Sequence, residues 1–477
     1  MLYCGESSLR YSEELADLSS RVHLFVADGL HLAFDVNSGS LYDLDEVAWE
    51  LVLYYLECGD WEEASLNTAR RFGAREAADA LAELQKLAAA GLFFSPGEEW
   101  PHYAPGKELG LKALCLNIAH ECNLACKYCF VPENVRAQET IMSEETIKAA
   151  LDLLLHETPY QNLTVDFFGG EPLLNFEGVK FAVEYALREG ANKKWKFTVT
   201  TNTLLLGEEE LSFFKEHDFS YVLSCDGRPW VHDAYRVTPG GCGTSQIVAD
   251  RLRDFINAGA APEYYVRGTF TRNNLDFTKD VLYLADLGAE SISLEPVVAS
   301  PGVPYALREE DLPELQAEYY RLARVLRQQE RKGKGIAFYH YDLDLSGGPC
   351  VAKRLTGCGA GYQYLTVTPA GEIYPCHQLV GHQEYLMGHV DRGITAPQLQ
   401  EKLQKAHIFR KKECTYCWAR FLCGGGCHAQ AVLNGGDLLH PYPPSCDIMR
   451  ARLQGALYYQ ALQNNIVEEG DRHRPSA

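Results

Sequence analysis

Short alternations of apolar and polar positions open the chain. "HLFVAD", "HLAFDVNS" and "SLYDLD", at 23–28, 31–38 and 40–45, are separated by Gly or Asn-Ser-Gly turns and predict a three-stranded meander. Apolar positions then recur with helical spacing in "EVAWELVLYYLECG", "WEEASLNTARRFG" and "AREAADALAELQKLAAAG", the last stopped by Gly91. The Pro- and Gly-rich stretch "FSPGEEWPHYAPGKELG" reads as a linker. From Leu111 the apolar runs "LKALCLNIA", "LTVDFFGG", "KFTVTTN", "FSYVLSCDG", "YYVRGTFT" and "SISLEPVV" are each followed by a helical pattern. Those helices are predicted to begin near Ser143, Phe176, Glu208, Thr244, Leu275 and Glu309. Six such units imply a parallel sheet with helices outside it, either open or a partial barrel, with ligands at the carboxyl ends of the strands. Beyond about Lys334 the pattern stops. There "GAGYQYLTVTPAGEIYP" predicts a hairpin with a Pro-Ala-Gly turn, and a helix is expected from about Cys446 to Asn465.

Length adds a domain count. The 477 residues exceed one typical domain, and the pattern divides them into 1–100, 111–334 and 335–465. The net charge of -21, with no basic block, argues against a nucleic-acid partner. No long apolar run and no signal-like start occur, so a cytoplasmic protein without a membrane partner is expected. Sixteen cysteines in a reducing compartment point to metal sites rather than disulfides. Cys4, Cys58, Cys115, Cys225 and Cys242 stand alone and read as ordinary buried or partly buried thiols.

The remaining cysteines carry the candidate chemistry. Cys122, Cys126 and Cys129 form a C-x3-C-x2-C run just after the first parallel strand. Three thiolates reach three irons of a cubane cluster and leave the fourth without a protein ligand, whereas zinc recruits four ligands and no fourth is near. The second strand ends in Gly169, Gly170 and Glu171, where two glycines permit close backbone approach and a carboxylate offers an acceptor for an ammonium group. Later come Cys350, Cys358 and Cys376, then Cys414, Cys417, Cys423 and Cys427, and finally Cys446. Zinc ribbons share this spacing, so these residues alone leave zinc and iron-sulfur both open. The histidines show no H-x3-H or H-E-x-x-H spacing for a mononuclear site.

The three-cysteine run with an aromatic at Tyr128, the Gly-Gly-Glu strand end and the six units together resemble the radical S-adenosylmethionine (SAM) superfamily. The resemblance implies an α/β fold with a partial TIM-type barrel of six β/α units, and a 4Fe-4S cluster on Cys122, Cys126 and Cys129 whose open iron is chelated by SAM. The methionyl amine would meet Gly169, Gly170 and Glu171, and the adenine would lie near Tyr128. Thr201 and Asn202 in "VTTNT", Ser224 and Asp226 in "LSCDG" and Arg236 in "VHDAYR" match further cofactor contacts. The C-terminal cysteines resemble the SPASM extension, which holds two auxiliary 4Fe-4S clusters, three clusters in all. By resemblance the distal cluster takes Cys414, Cys417, Cys423 and Cys446, and the proximal one takes Cys358, Cys376 and Cys427. Cys350 is a candidate fourth proximal ligand, with an open iron the favoured arrangement.

Sulfatase-maturating members carry an aspartate where this chain has His377 in "YPCHQ". The stretches "HLAFDVNSGSLYDLDE" and "GCGAGYQYLTVTPAGEIYPCHQLVG" resemble instead the maturases of SCIFF peptides, over residues 23–459. Those enzymes install thioether cross-links in ribosomally made, cysteine-rich precursor peptides. The resemblance implies a winged-helix-like N-terminal module that receives the leader peptide as an added strand. Residues 1–100 are then expected to be removable without loss of SAM cleavage. An external electron donor such as ferredoxin or flavodoxin is also implied. Joining a thiol to a carbon removes two protons and two electrons, so a second cluster near the substrate would accept an electron. His377, beside Cys376, is the candidate for the thiol proton. Maturation of an amine dehydrogenase subunit or a sulfatase, and a non-catalytic electron carrier, are the rival readings.

Overall fold

The computed structural model describes residues 17–97, 110–138, 140–259, 263–300, 302–345 and 351–464. Cys4, Cys350, most of the expected linker and the polar tail lie outside them.

The meander forms as the alternation predicts. Strands β1 (Val22–Ala27), β2 (Leu30–Asp35) and β3 (Leu41–Leu44) pair antiparallel in that order. Helices Glu46–Cys58 and Trp61–Phe72 follow, each capped by an aspartate: Asp45 accepts from the Ala48 amide, and Asp60 from those of Glu62 and Glu63. Helix Ala74–Ala89 completes the unit. The period of two gives this small sheet two different faces. Val22 and Ala33 pack with Leu51, Val52 and Leu84 of the helices. Phe25, Leu30, Leu32 and Phe34, on the other face, belong to the main core of the molecule.

The six predicted strands appear as β4 (Ala113–Ala119), β5 (Asn162–Gly169), β6 (Lys194–Thr201), β7 (Ser220–Ser224), β8 (Tyr264–Phe270) and β9 (Ser291–Pro296). They lie side by side in sequence order, all parallel. Helix starts fall where caps predict: Ser143 and Asn175 cap Glu144–Glu157 and Phe176–Glu189 by accepting backbone amides. The helix expected near Leu275 begins at Thr278, after a short 3-10 turn.

The sheet continues past Lys334, contrary to the sequence expectation. Strand β10 (Ala337–Phe338) adds parallel to β9, and β11 (Tyr364–Val367) adds parallel to β4 at the opposite edge. Strands β12 (Glu372–Tyr374), β13 (Gly388–His389) and β14 (Gly393–Ile394) extend that edge antiparallel. Two- to four-residue strands are too short to register as an alternating pattern. The predicted hairpin is the β11–β12 pair. The last helix, Pro443–Gln463, starts three residues before Cys446 because Pro443 suits a first turn, where no amide donor is needed. It crosses helix Leu312–Arg331 closely at Gly455, where a Cβ would lie 2.7 Å from Tyr341 Oη and 2.8 Å from Tyr319 Cβ. No helix among the described residues is long and apolar enough to cross a membrane.

Candidate active site

Alternate residues of five strands point to one side of the curved sheet and line a cavity of about 440 Å³. Asp166 and Phe168 come from β5, Thr198 and Thr200 from β6, Val222 and Ser224 from β7, Arg267 and Thr269 from β8, and Glu295 from β9. Cys122, Cys126 and Cys129 stand over it on the loop after β4. That loop is tied down by backbone: the Ala125 amide donates to the Val237 carbonyl at 2.7 Å, and the Lys127 amide to that of Tyr235 at 3.0 Å. Burial pushes the Cys122 thiol up to about 12, so ligation there proceeds with release of a proton to solvent.

The glycines at the end of β5 serve the protein's own packing first. A Cβ on Gly169 would stand 2.1 Å from the Ala119 carbonyl oxygen, and one on Gly170 2.2 Å from that of Glu121. Gly169 also has φ 132. The β5 end is thereby seated against the cysteine loop, with the Gly170 amide donating to the Ala119 carbonyl at 2.7 Å. Both glycines still line the cavity, as do Tyr128, Thr201, Asn202, Ser224 and Arg236.

Two predicted contacts, Glu171 and Asp226, have partners within the protein. Glu171 is fully buried and outside the cavity wall, and its carboxylate accepts from Thr201 Oγ1 (2.7 Å) and from the amides of Asn202 (2.7 Å) and Leu173 (3.1 Å). Burial raises it to about 7 against those bonds. It holds the β6 end in place. Asp226, also fully buried, accepts from Tyr128 OH, Arg236 Nε (3.0 Å) and the Thr269 amide (2.9 Å). It positions Tyr128 and Arg236, which do line the cavity, and the guanidinium sits 5.6 Å from the Tyr128 ring centre.

Five of the C-terminal cysteines border two further cavities, and Cys358 and Cys376 lie within electrostatic reach of Cys427. Cys414, Cys417, Cys423 and Cys446, the four expected distal ligands, all line one of about 160 Å³, walled by Ala419, Pro441, Pro443 and Met449. Another of about 280 Å³ is lined by Cys423, Cys427 and Cys446 and shares Arg267, Glu295, Pro296 and Gln378 with the main cavity. Cys376 lies next to His377, whose ring reaches the main cavity and packs against Phe168 (4.6 Å) and Phe130 (5.4 Å). Burial pushes His377 down to about 4, so its imidazole is neutral. Cys350 is outside the described residues. Among these, no group of three or more His, Cys, Asp or Glu converges on a single metal ion. Cys122, Cys126 and Cys129, and Cys414, Cys417, Cys423 and Cys446, stand around cavities instead, the disposition that a many-atom iron-sulfur cluster requires, and these donor sets fit such clusters. Of the lone cysteines, Cys115 and Cys225 are buried, whereas Cys242 is exposed.

Sequence reading missed several residues. Lys411 is fully buried between the two C-terminal groups and donates from Nζ to the Gly425 carbonyl at 2.6 Å. Burial lowers its pKa against the pull of Cys414, Cys423, Cys358 and Cys427. Glu295 pairs with Arg452 at 2.9 Å, and the neutral His340 ring stands 3.3 Å from its carboxylate. The only sequence signal for Asp166 and Glu295 was a carboxylate inside an otherwise apolar strand.

Residues 116–227 match the model of the Radical SAM superfamily. Among curated relatives, an AdoMet-dependent heme synthase of Nitratidesulfovibrio vulgaris is 25% identical over 70% of this chain and 91% of its own. The mycofactocin maturase MftC of Mycolicibacterium smegmatis is 24% identical over 70% of this chain and 83% of its own. A serine-type anaerobic sulfatase-maturating enzyme of Klebsiella aerogenes is 24% identical over 68% and 80%. Two solved structures share the fold. Native anSMEcpe with bound AdoMet and Kp18Cys peptide has a TM-score of 0.62 at 21% identity, covering 75% of this chain and 99% of that one. Streptococcus suis SuiB bound to S-adenosylmethionine has 0.52 at 15%, covering 89% and 98%. The cysteine loop, the glycine strand end seated beneath it and the match over residues 116–227 give this chain a radical SAM domain, and the proteins it is similar to include a mycofactocin maturase, a sulfatase-maturating enzyme and a heme synthase.

Proposed function

We propose that this protein is a radical SAM maturase that installs thioether cross-links between cysteine thiols and carbon positions of a ribosomally made, cysteine-rich precursor peptide. The observation that carries the reading is the contact between cavities. The wall formed by Arg267, Glu295, Pro296 and Gln378 belongs both to the space under Cys122, Cys126 and Cys129 and to the space beside Cys423 and Cys427. A peptide lying there would have one carbon near the first group and one sulfur near the second, which is the proximity a carbon-sulfur bond requires.

When bound, a 4Fe-4S cluster on the three-cysteine loop together with SAM supplies the 5'-deoxyadenosyl radical that removes a substrate hydrogen atom. The chain's own residues do the positioning. Gly169 and Gly170 offer backbone to the methionyl end, Tyr128 and Arg236, held by Asp226, flank the adenine end, and Thr201, Asn202 and Ser224 close the strand-end side. Cys414, Cys417, Cys423 and Cys446 would hold a distal auxiliary cluster, and Cys358, Cys376 and Cys427 a proximal one, three clusters in all. Residues 1–100 would receive the leader, 111–334 form the barrel and 335–465 the SPASM extension. The N-terminal placement draws support from the SuiB fold, which extends over more of this chain than anSMEcpe does.

Formylglycine formation is the second reading, supported by the sulfatase-maturating relative. His377 weighs against it, since a neutral ring packed against two phenylalanines stands where those enzymes carry an aspartate.

The experiment is anaerobic reconstitution followed by reaction with a synthetic peptide taken from a short cysteine-rich reading frame beside the gene. A product short of two hydrogens with its sulfur retained supports thioether formation; loss of sulfur from the product rejects it. Iron content should equal three cubane clusters and drop by one when Cys122, Cys126 and Cys129 are changed together to Ala. Iron for a single cluster in the unaltered protein would reject the auxiliary assignment.

A further inference from the structure

We propose that Asp166 is the base that takes the proton from the substrate's thiol. The inference deepens the thioether reading and rests on it.

Asp166 is a mid-strand residue of β5, three positions before Gly169, so its side chain projects into the cavity about 10 Å below the strand end where the cysteine loop sits. Its register partners are Cys115 on β4 and Thr198 on β6. Thr198 hydrogen-bonds to the carboxylate. Tyr364 on β11 is close enough to feel both Asp166 and Cys376, which sets Asp166 on the side of the cavity toward the proximal cysteine group. Cys115 and Tyr265 also face it, and Arg267 and Glu295 stand on the facing strands.

Of the two carboxylates in this cavity wall, Glu295 is neutralised by Arg452, while no cation lies against Asp166 among the described residues. Burial without a counter-charge, only partly offset by Thr198, pushes Asp166 up to about 6. A base poised there is ionised at neutral pH yet accepts a proton readily. His377 also lines the cavity, but its ring packs against Phe130 and Phe168 and the nearby Arg267 charge disfavours a proton on it. The step is a proton transfer alone: the thiol S–H breaks, the carboxylate O–H forms, and the electron pair stays on sulfur. The proton later leaves to solvent. The second hydrogen of the cross-link would leave as an atom to the radical that bound SAM supplies, and the carbon would give one further electron to an auxiliary iron-sulfur cluster held by the C-terminal cysteines.

The test uses the full, reconstituted enzyme and the synthetic cysteine-rich peptide. Cross-link formation in single turnover should rise with pH through about 6, and Asp166→Asn should lower its rate by about 10²-fold or more and flatten that limb. Asp166→Glu should restore part of the rate. Independently of turnover, carbon-13 NMR of aspartate-labelled protein should show one carboxyl titrating near 6 that is missing in Asp166→Asn. A sulfur-retaining product with the same pH profile in Asp166→Asn overturns the role of Asp166 alone. So does an Asp166→Asn enzyme whose only defect is weaker SAM binding, and so does a carboxyl titrating in the ordinary range. A wild type whose product has lost sulfur overturns the thioether reading itself, and with it the thiol as proton donor.

Discussion

Gly170 and Glu171 share a strand end yet act by different physics. The glycine is required because the Glu121 carbonyl occupies the space a side chain would need, at 2.2 Å from a Cβ. Gly170→Ala must push the β5 end off the cysteine loop, at a cost of about 1–3 kcal/mol from overpacking. We expect reconstituted Gly170→Ala to lose iron equivalent to one cluster, with the C-terminal clusters kept, as read by iron assay and electron paramagnetic resonance. Full occupancy with normal SAM cleavage would show that the contact relaxes cheaply. Gly-Gly-Glu was legible in the sequence as a site, but the glutamate's role was not. Two of its partners, Thr201 and Asn202, come from the end of another strand thirty residues later, and no local pattern reveals that they donate to the carboxylate.

Among the elements, β5 is the most informative. Its alternation was readable, and so was its length, yet "LTVDFFGG" gives no means of telling a cavity-facing carboxylate from a solvent-facing one. The sheet's curvature decides that, by turning the alternate faces of β5 to β9 toward a common centre. The crossing of helices Leu312–Arg331 and Pro443–Gln463 poses a packing constraint of the same kind. Gly455→Leu would drive a branched side chain into Tyr319 and Tyr341, both fully buried, and should destabilise the protein by about 1–3 kcal/mol or more. Thermal denaturation of the apoprotein checks this, and an unchanged midpoint would mean the two helices can separate without loss.

At the scale of the whole molecule, the N-terminal module is not the separable piece its sequence suggests. His23 stacks on Trp418 at 3.9 Å, Arg420 donates to the Ser20 carbonyl and to Asn37, and Phe25, Leu32 and Phe34 sit in the main core. Deleting residues 1–100 should therefore expose that core and lower both soluble yield and SAM cleavage. A truncated enzyme with full SAM cleavage would contradict this. Buried histidines set the pH response. Burial pushes His23 and His340 down to about 3 and His232 and His407 to about 4, from an ordinary 6.5. The unfolded chain then binds more protons, so their contribution is complete above 6.5 and is lost as pH falls toward 4. Glu171 and Asp166, raised to about 7 and about 6, act in the opposite sense over the same range, but are fewer. The denaturation midpoint of the apoprotein should fall on acidification from 6.5, and one that holds steady to about pH 5 would refute the dominance of the histidines. By itself the sequence determined the meander, the six strand-helix units, the cysteine groups and the strand-end residues, because periodicity, caps and ligand spacing are local properties of a chain. Only the tertiary structure decided that short strands from beyond residue 334 extend both sheet edges, that the cysteine groups border adjoining cavities, and that Glu171 and Asp226 support the site from behind its wall. Those facts depend on which surfaces remain for burial once every element is packed, and that is a property of the assembled core rather than of any one stretch.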